Sequence, residues 1–298
     1  MTNNEVIDTL LFVDTNVLFD FYRFPKSKIS MEFLNKLEEC KDRLITGSQV
    51  EMEYKKNRQG LIVNVRKNFP EKLPQLTTPV LFADIPEVKE IAKKKKELMV
   101  LQESVLQAIN EVLIDPLKDP VYQTLERLFK HEYKYNLTRN HQDSSKIYRL
   151  ARKRFILGQP PRKQDDTSMG DAINWEWIVQ CSISSGKHIV IVTRDADYGA
   201  ILENGCCLND WLKQEFSERS PKCEITLTDK LSVGLTIVHA AVTKDMEDAE
   251  QQLHENQKQF EEDLINFYNS VPHFESLLSL KHLFPEMNLP KMNLPKMK

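Results

Sequence analysis

The amino-acid sequence predicts an α/β fold in which a small parallel sheet is flanked by helices. Two apolar runs, at 10–14 and 188–193, have the length and composition of buried strands. Near the start of the chain, predicted strands and helices alternate, as they do in a parallel sheet with crossover helices. The chain also has only 8 glycines and 14 prolines beside long segments rich in Lys, Glu and Leu, which favours a helix-rich protein.

The first strand and the first helix follow from two different spacings of apolar residues. Residues 10–14 are strongly apolar up to the acid that ends them, which is typical of a buried strand. Phe33, Leu34 and Leu37 recur at the helical period and predict an amphipathic helix over 29–40. This strand and helix begin the parallel α/β pattern.

A second strand, predicted over 43–46, leads into a second helix. Ser48 is the expected N-cap of that helix, and Glu51, three residues later, is its expected partner in a capping box. The same helix carries Glu53. The order strand, helix, strand, helix predicts right-handed crossovers.

A helical insertion interrupts this pattern at about 70–160. Prolines are concentrated over 69–82 and predict an extended connector. Three helices are then predicted, around 93–96, over 120–134 and over 144–156. Basic residues over 149–163 could hold a nucleic-acid backbone, in which case binding depends on salt.

The α/β pattern resumes with a helix predicted over 170–184 and with the strand at 188–193, the clearest of the chain. The predicted α/β domain spans 1–243 and includes the insertion. Residues 244–298 are predicted to be an acidic helical extension with a flexible tail, which carries the direct repeat MNLPKMNLPK. The acidic helix is a candidate surface for a protein partner or for self-association.

Composition excludes several classes of protein. With 298 residues, of which 41% are hydrophobic, the chain can bury a substantial core. The formal net charge of -3 gives no global reason to expect nucleic-acid binding, so such a function must rest on local charge. No apolar run approaches the roughly 20 residues of a membrane span, and the first ten residues lack the features of a signal peptide.

The cysteines predict a reducing, cytoplasmic location. They are Cys40, Cys181, Cys206, Cys207 and Cys223. Their number is odd, and none forms a CxxC pair or a Cys/His spacing typical of a metal site.

Acids stand where the predicted strands end and where the predicted helices begin. Asp14 and Asp195 follow two strands whose carboxyl ends share an edge of a parallel sheet, and Asp171 and Glu53 lie early in their helices. Four converging carboxylates raise one another's pKa unless cations intervene. Oxygen ligands without Cys suit Mg²⁺ or Mn²⁺ rather than Zn²⁺, and two such ions can promote hydrolysis of a phosphate ester.

These residues resemble the motifs of the PIN-domain nucleases, and most closely those of the PIN-like group with a long helical insertion. The motifs are DTNVLFDFYR at 14–23, EYKKNR at 53–58, a Pro-Pro loop followed by GDAINWEW within 160–177, and VTRDADYG at 192–199. The resemblance covers roughly 8–70 and 158–215. It implies a small sheet of PIN type and a Mg²⁺- or Mn²⁺-dependent ribonuclease, or less often a DNA nuclease.

The resemblance also implies roles for single residues. Asp14, Glu53, Asp171 and Asp195 would be catalytic and hold the metal, with Asp197 as a further ligand and Asp166 as an outer acid. The residues expected to order the site or to bind substrate are Asn16, Arg23, Arg58, Thr193 and Arg194. Arg194 departs from the commonest family pattern and either contacts phosphate or points away.

Structural interpretations compete with each of these roles. A strand-end Asp can form a turn, and Asp171 can complement a helix dipole. Glu51 rivals Glu53 as the helix acid, although the family spacing to Asn57 and Arg58 favours Glu53.

Three functions remain in competition at this point. The leading hypothesis is a metal-dependent endoribonuclease that acts on structured RNA such as tRNA, as a toxin or defence effector. A phosphatase of the haloacid-dehalogenase type is disfavoured, because Asn16 stands where that class needs a second acid. The third is a catalytically inactive module that binds nucleic acid or a partner.

Overall fold

The computed structural model of the chain describes residues 8–69, 85–161, 168–202 and 205–270. The strands in these residues are β1 (Thr9–Val13), β2 (Leu44–Gly47), β3 (Asn136–Leu137), β4 (His188–Val192), β5 (Gly199–Leu202), β6 (Gly205–Leu208) and β7 (Ile225–Thr228). The α-helices are α1 (Thr15–Leu18), α2 (Ser27–Glu39), α3 (Ser48–Asn68), α4 (Pro86–Ile114), α5 (Pro120–Lys130), α6 (Ser144–Ile156), α7 (Gly170–Ser185), α8 (Asp210–Arg219), α9 (Leu231–Ile237) and α10 (Lys244–Ser270).

Five of the strands form one parallel sheet in the order β3-β2-β1-β4-β7, which confirms the predicted fold class. The central strands β1 and β4 are buried almost throughout, as their continuous apolar runs require. Val13 lies opposite Val192 in the register of these two strands. Because the strands end side by side, the residues that follow them meet at one edge of the sheet.

The first predicted strand, the helices predicted over 29–40, 144–156 and 170–184, and the strands over 43–46 and 188–193 are confirmed to within two residues. The helix predicted over 120–134 is too long, since α5 ends at Lys130. The side-chain amide of Asn136 donates hydrogen bonds to the carbonyl oxygens of Phe129 and His131 and so satisfies the end of that helix.

The insertion is not wholly helical, because β3 lies within it and extends the sheet beside β2. A strand of two residues is too short to produce a periodic pattern. The proline-rich connector predicted over 69–82 lies almost entirely outside the described residues.

The capping box predicted for α3 is wrong. The helix begins at Ser48 itself, its N-cap is Gly47, and no side chain caps it. A Cβ atom at Gly47 would press on the Cβ of Leu137, so this position needs glycine where β2 meets β3. Glu51 instead forms an ion pair with Lys55 at 2.6 Å.

The later part of the chain contains strands that the sequence pattern did not reveal. β7 pairs with β4 at one edge of the sheet, and β5 and β6 form an antiparallel hairpin directly after β4. The predicted acidic helix is α10. The described residues up to Glu250 belong to one compact unit, and those from Gln251 to a second.

None of the helices in the described ranges is both long and apolar enough to span a membrane. All five cysteines lie in these ranges and are free thiols. The MNLPK repeat lies outside them, and a role for the acidic helix in association stays a prediction.

Candidate functional site

Asp14 is the centre of the site and is held rigidly at the end of β1. It is only 4% exposed and serves as the N-cap of α1. One carboxylate oxygen accepts a hydrogen bond from the backbone N–H of Thr15 at 2.6 Å. The other accepts from the Thr193 hydroxyl at 2.6 Å and from the Asn16 amide at 2.9 Å.

The pKa of the Asp14 carboxyl group is raised by burial and by neighbouring acids. Burial is the main cause that raises its pKa from the ordinary 3.8 to about 6. The hydrogen bond from Thr193 lowers the pKa, whereas the charges of Asp195 and Glu53 raise it. Asp14 is therefore a buried carboxyl group close to two further acids.

Asn16 and Thr193 join the first motif to the motif after β4. The Asn16 amide donates to the Thr193 hydroxyl at 3.1 Å, and the Asn16 carbonyl accepts from the backbone N–H of Arg194 at 3.3 Å. The Thr193 hydroxyl also accepts from the backbone N–H of Asp195 at 3.0 Å. These contacts agree with the ordering role expected for both residues, and that role stays a prediction.

Glu53 reaches the same region from α3. One of its carboxylate oxygens accepts from the Thr15 hydroxyl at 3.0 Å, and the other accepts from the Gln49 amide. Gly170 begins α7 directly against this side chain, since a Cβ atom there would overlap with Glu53 Oε1. The absence of a side chain at Gly170 therefore lets the start of α7, which carries Asp171, approach Glu53.

The four predicted acids share an electrostatic effect on Tyr198, although no three of them form a metal-binding group among the described residues. Burial raises the pKa of its phenol well above the usual range, and the charges of Asp171, Asp14, Glu53 and Asp195 raise it further, in that order. All four predicted acids thus act on one buried hydroxyl group. Glu51 is not among the acids that act on Tyr198, and it is paired with Lys55 elsewhere on α3.

The donor set fits a hard divalent cation by its chemistry but does not form a closed ligand shell. The donors are carboxylate oxygens, and Glu53 Oε1 occupies the space that a Cβ atom at Gly170 would fill. Within the described ranges, however, no three His, Cys, Asp or Glu side chains are close enough to share an ion. Oxygens of Asp14 and Glu53 instead accept hydrogen bonds from neighbouring side chains.

Arg58 is not brought to the site. It is 2% exposed and forms a buried ion pair with Asp119 at 2.7 Å, while its guanidinium also donates to the Val112 carbonyl. The Tyr22 hydroxyl donates to the same carboxylate at 2.6 Å. The expectation of substrate binding therefore does not fit Arg58, which ties α3 to the inserted residues.

The other two arginines differ in exposure. Arg194 contacts Asp20, and its second nitrogen lies 3.8 Å from Glu250, so its guanidinium is turned toward an internal ion-pair network. Arg23 pairs with Asp20 at 3.3 Å, and 46% of its side chain is exposed. Of the predicted substrate-binding arginines, Arg23 is the one that a substrate could reach.

The basic residues of α6 are divided between surface and interior. Arg154 is buried and pairs with Glu176 of α7 at 2.9 Å. The exposed members are Lys146, Arg149, Arg152 and Lys153. Since Lys146 meets Gln180 and Arg154 meets Glu176, α6 runs antiparallel to α7, toward the end that carries Asp171. Asp166, Arg162 and Lys163 lie outside the described residues.

Three further residues belong to this part of the fold. Asp197 was predicted from the sequence, whereas Tyr198 and Glu250 were not. Asp197 is partly buried near Tyr198, and its role as a further ligand stays a prediction. Tyr198 follows the last acids of the VTRDADYG motif, but nothing in the sequence marks its hydroxyl as buried. Glu250 accepts hydrogen bonds from the backbone N–H groups of Leu231 and Ser232 and caps α9, although it resembles the other acids of its helix.

Comparison with known proteins agrees with the motif resemblance. A family model described as "PIN domain" matches residues 11–198, more than half of the chain. The match includes β1 from Leu11 onward, the insertion, β4 and the four acids. Neither a curated protein nor a solved structure matches the chain.

Proposed function

The chain belongs to the PIN-domain family, and from this premise we propose that it is a metal-dependent endoribonuclease. PIN domains are generally nucleases that depend on a divalent metal, usually Mg²⁺ or Mn²⁺. The observation that carries the proposal is that acids from separate segments are linked at the end of β1. Thr193 joins Asp14 to Asp195, Thr15 contacts both Asp14 and Glu53, and Gly170 brings the start of α7 against Glu53. Such a cluster is stable only when protons or cations neutralise it.

In this proposal Asp14, Glu53, Asp171 and Asp195 hold the metal, with Asp197 beside them. The bound metal supplies a Lewis acid and a nucleophilic water for attack on a phosphodiester. Thr193 and Asn16 keep Asp14 in place by their hydrogen bonds. We expect products with a 5′-phosphate and a 3′-hydroxyl.

The proposed substrate is structured RNA such as tRNA, and the proposed biological setting is that of a toxin or defence effector. The support is the row of exposed cations on α6, which leads toward the start of α7. Cations along such a track hold a phosphate backbone. Arg23 provides a further exposed cation near the first motif.

The test is cleavage of labelled RNA and labelled DNA of matched sequence by wild type and Asp14→Asn in Mn²⁺. We expect wild type to cut RNA and the variant to lose at least about 100-fold in rate, because a metal ligand is lost. Asp42→Asn is the matched control, since that carboxylate is 64% exposed and pairs with His131. Equal cleavage by Asp14→Asn would overturn the proposal, and cleavage of DNA alone would favour a DNA nuclease.

A second candidate is a binding module without catalysis. It is favoured by one observation, the lack of a preassembled set of three metal-ligating side chains in the described part of the chain. RNA binding of undiminished affinity in EDTA, with no product formed in Mn²⁺, would support this alternative against the nuclease.

A further inference from the structure

The hydroxyl group of Tyr198 is buried without a hydrogen-bond partner among the described residues. The residue is 0% exposed, and it lies within the VTRDADYG motif, directly after Asp197. Most buried polar groups are paired, so an isolated one calls for a physical explanation.

The surrounding backbone holds Tyr198 in a fixed position. Its carbonyl oxygen accepts a hydrogen bond from the backbone N–H of Asn209 at 2.9 Å, where β6 leads into α8. The next residue, Gly199, begins β5 so close to β6 that a Cβ atom would overlap with the carbonyl oxygen of Cys207. These contacts fix the backbone on the C-terminal side of the Tyr198 Cα atom.

A phenylalanine would fill the same space without the cost of an unpaired hydroxyl. The oxygen therefore destabilises the fold unless it meets an acceptor that is not part of the described chain. The segment that carries Tyr198 leaves the end of β4, where Thr193 links Asp14 to Asp195 by hydrogen bonds, and the charges of the four predicted acids act on its phenol. A tyrosine hydroxyl is ordinarily protonated near neutral pH. Tyr198 thus offers a permanent hydrogen-bond donor to a site that is otherwise rich in acceptors.

We propose that the Tyr198 hydroxyl donates a hydrogen bond to an oxygen atom of the group bound among Asp14, Glu53, Asp171 and Asp195. That oxygen belongs either to a water held by the divalent cation or to a phosphate held by it. Tyr198 is then a positioning residue for the bound oxygen. This inference rests on the proposed function, since it requires that the acids bind a cation.

The test compares thermal unfolding and Mn²⁺ affinity of wild type and Tyr198→Phe. In EDTA we expect the variant to be as stable as wild type or more stable, because it lacks an unpaired buried hydroxyl. In Mn²⁺ we expect weaker binding by about tenfold, the loss typical of groups that orient metal-bound ligands. If the partner is a phosphate oxygen, the deficit is seen only when inorganic phosphate is added with Mn²⁺.

Tyr135→Phe is the matched control. Its hydroxyl is also buried, but it interacts with the ammonium group of Lys134, which lies 4.9 Å from the centre of the Tyr135 ring and whose pKa the tyrosine raises. We expect wild-type Mn²⁺ affinity for this variant, with and without phosphate. A reduced affinity in it equal to that of Tyr198→Phe would contradict a specific role for Tyr198.

The remaining outcomes separate this inference from the proposed function. If wild type binds Mn²⁺ and Tyr198→Phe binds it equally well, with or without phosphate, the inference is wrong and the metal site stands. If Tyr198→Phe is less stable than wild type in EDTA, the hydroxyl has a partner inside the protein and the inference is wrong. If wild type shows no Mn²⁺ binding at all, both fall.

Discussion

Two clusters of buried charged side chains in this fold are built in opposite ways. Between α6, α7 and α8, Arg154 and Arg219 face Glu176 and Glu215, so each carboxylate meets a guanidinium. At the ends of β1 and β4, the charges that act on Tyr198 all come from carboxylates. The first cluster contains as many guanidinium groups as carboxylates, whereas for the second we propose that a cation from solution balances the carboxylates.

This difference separates a structural role from a functional one. A buried ion pair satisfies the charges it contains and needs no ligand. At Asp14, burial raises the pKa of the carboxyl group and the charges of Asp195 and Glu53 raise it further, a combination that is common at functional sites. The same reasoning removes Arg58 from the site, because its partner Asp119 already neutralises it.

The largest expected effect on stability is at the arginine–glutamate ion pairs between α6, α7 and α8. Arg154→Met leaves Glu176 and Glu215 short of one cation, and we expect the free energy of unfolding to fall by about 3 to 5 kcal/mol. Urea denaturation measures this change. The control Arg152→Met alters an exposed position and should stay within about 0.5 kcal/mol of wild type. A small loss of unfolding free energy in Arg154→Met would contradict the difference proposed between the two clusters.

The acidic cluster should respond to pH in the direction set by Asp14. Because its pKa is about 6 in the fold and 3.8 ordinarily, the folded chain binds this proton more tightly than the unfolded chain. The associated stability is present below about pH 4 and is lost as the pH rises past 6, a change of about 3 kcal/mol.

Asp14→Asn isolates this contribution. Urea denaturation in EDTA at about pH 4.5 and about pH 7.5 should show wild type losing stability relative to the variant as the pH rises. The reason is that only wild type gains a buried charge over this interval. If the stability difference between the two proteins does not depend on pH, the acids are neutralised within the chain.

The variant Gly170→Ala tests the position of Glu53 at the proposed metal site. The added methyl group meets the ends of two flexible side chains, Glu53 and Gln49, which can move. We therefore expect a loss of stability below about 1 kcal/mol but a Mn²⁺ affinity reduced by about tenfold. Gly60→Ala, on the same helix as Glu53 with open space around it, should be neutral or stabilising and bind Mn²⁺ normally. Unchanged affinity in Gly170→Ala would contradict the position given to Glu53.

The smallest effect on the fold is expected at the exposed cations of α6. Arg149→Gln combined with Lys153→Gln should weaken binding of single-stranded RNA and lower the slope of log affinity against log salt by about 1.4, or about 0.7 for each cation. Lys93→Gln with Lys96→Gln on α4 is the matched control, since these lysines are also exposed. Equal slopes for the two double variants would exclude α6 as the RNA surface.

Strong local patterns made most of the sheet and its helices predictable from sequence. The continuous apolar runs of β1 and β4 identified strands, and their order placed Asp14 and Asp195 at one edge. The sequence did not predict β3 and β7. Short strands of mixed composition form because of their pairing with neighbouring strands, and a local pattern does not show this pairing.

The candidate site was predictable only in part, for a similar reason. Acids at strand ends carry a positional signal, so Asp14 and Asp195 could be placed at one edge of the sheet, whereas the metal-binding role of the four acids stays a prediction. The burial of Arg58 and the turn of Arg194 toward Asp20 depend on partners far away in the chain, which a local motif does not reveal. The same holds for the unpaired hydroxyl of Tyr198.

The most direct test of the acidic site is a crystal structure of the protein soaked in Mn²⁺, with the metal located by its anomalous scattering. We predict metal peaks between Asp14 and Asp195, with Glu53 or Asp171 as further oxygen ligands. A lysine or arginine head group between these carboxylates, or metal bound only elsewhere, would contradict the assignment of this site.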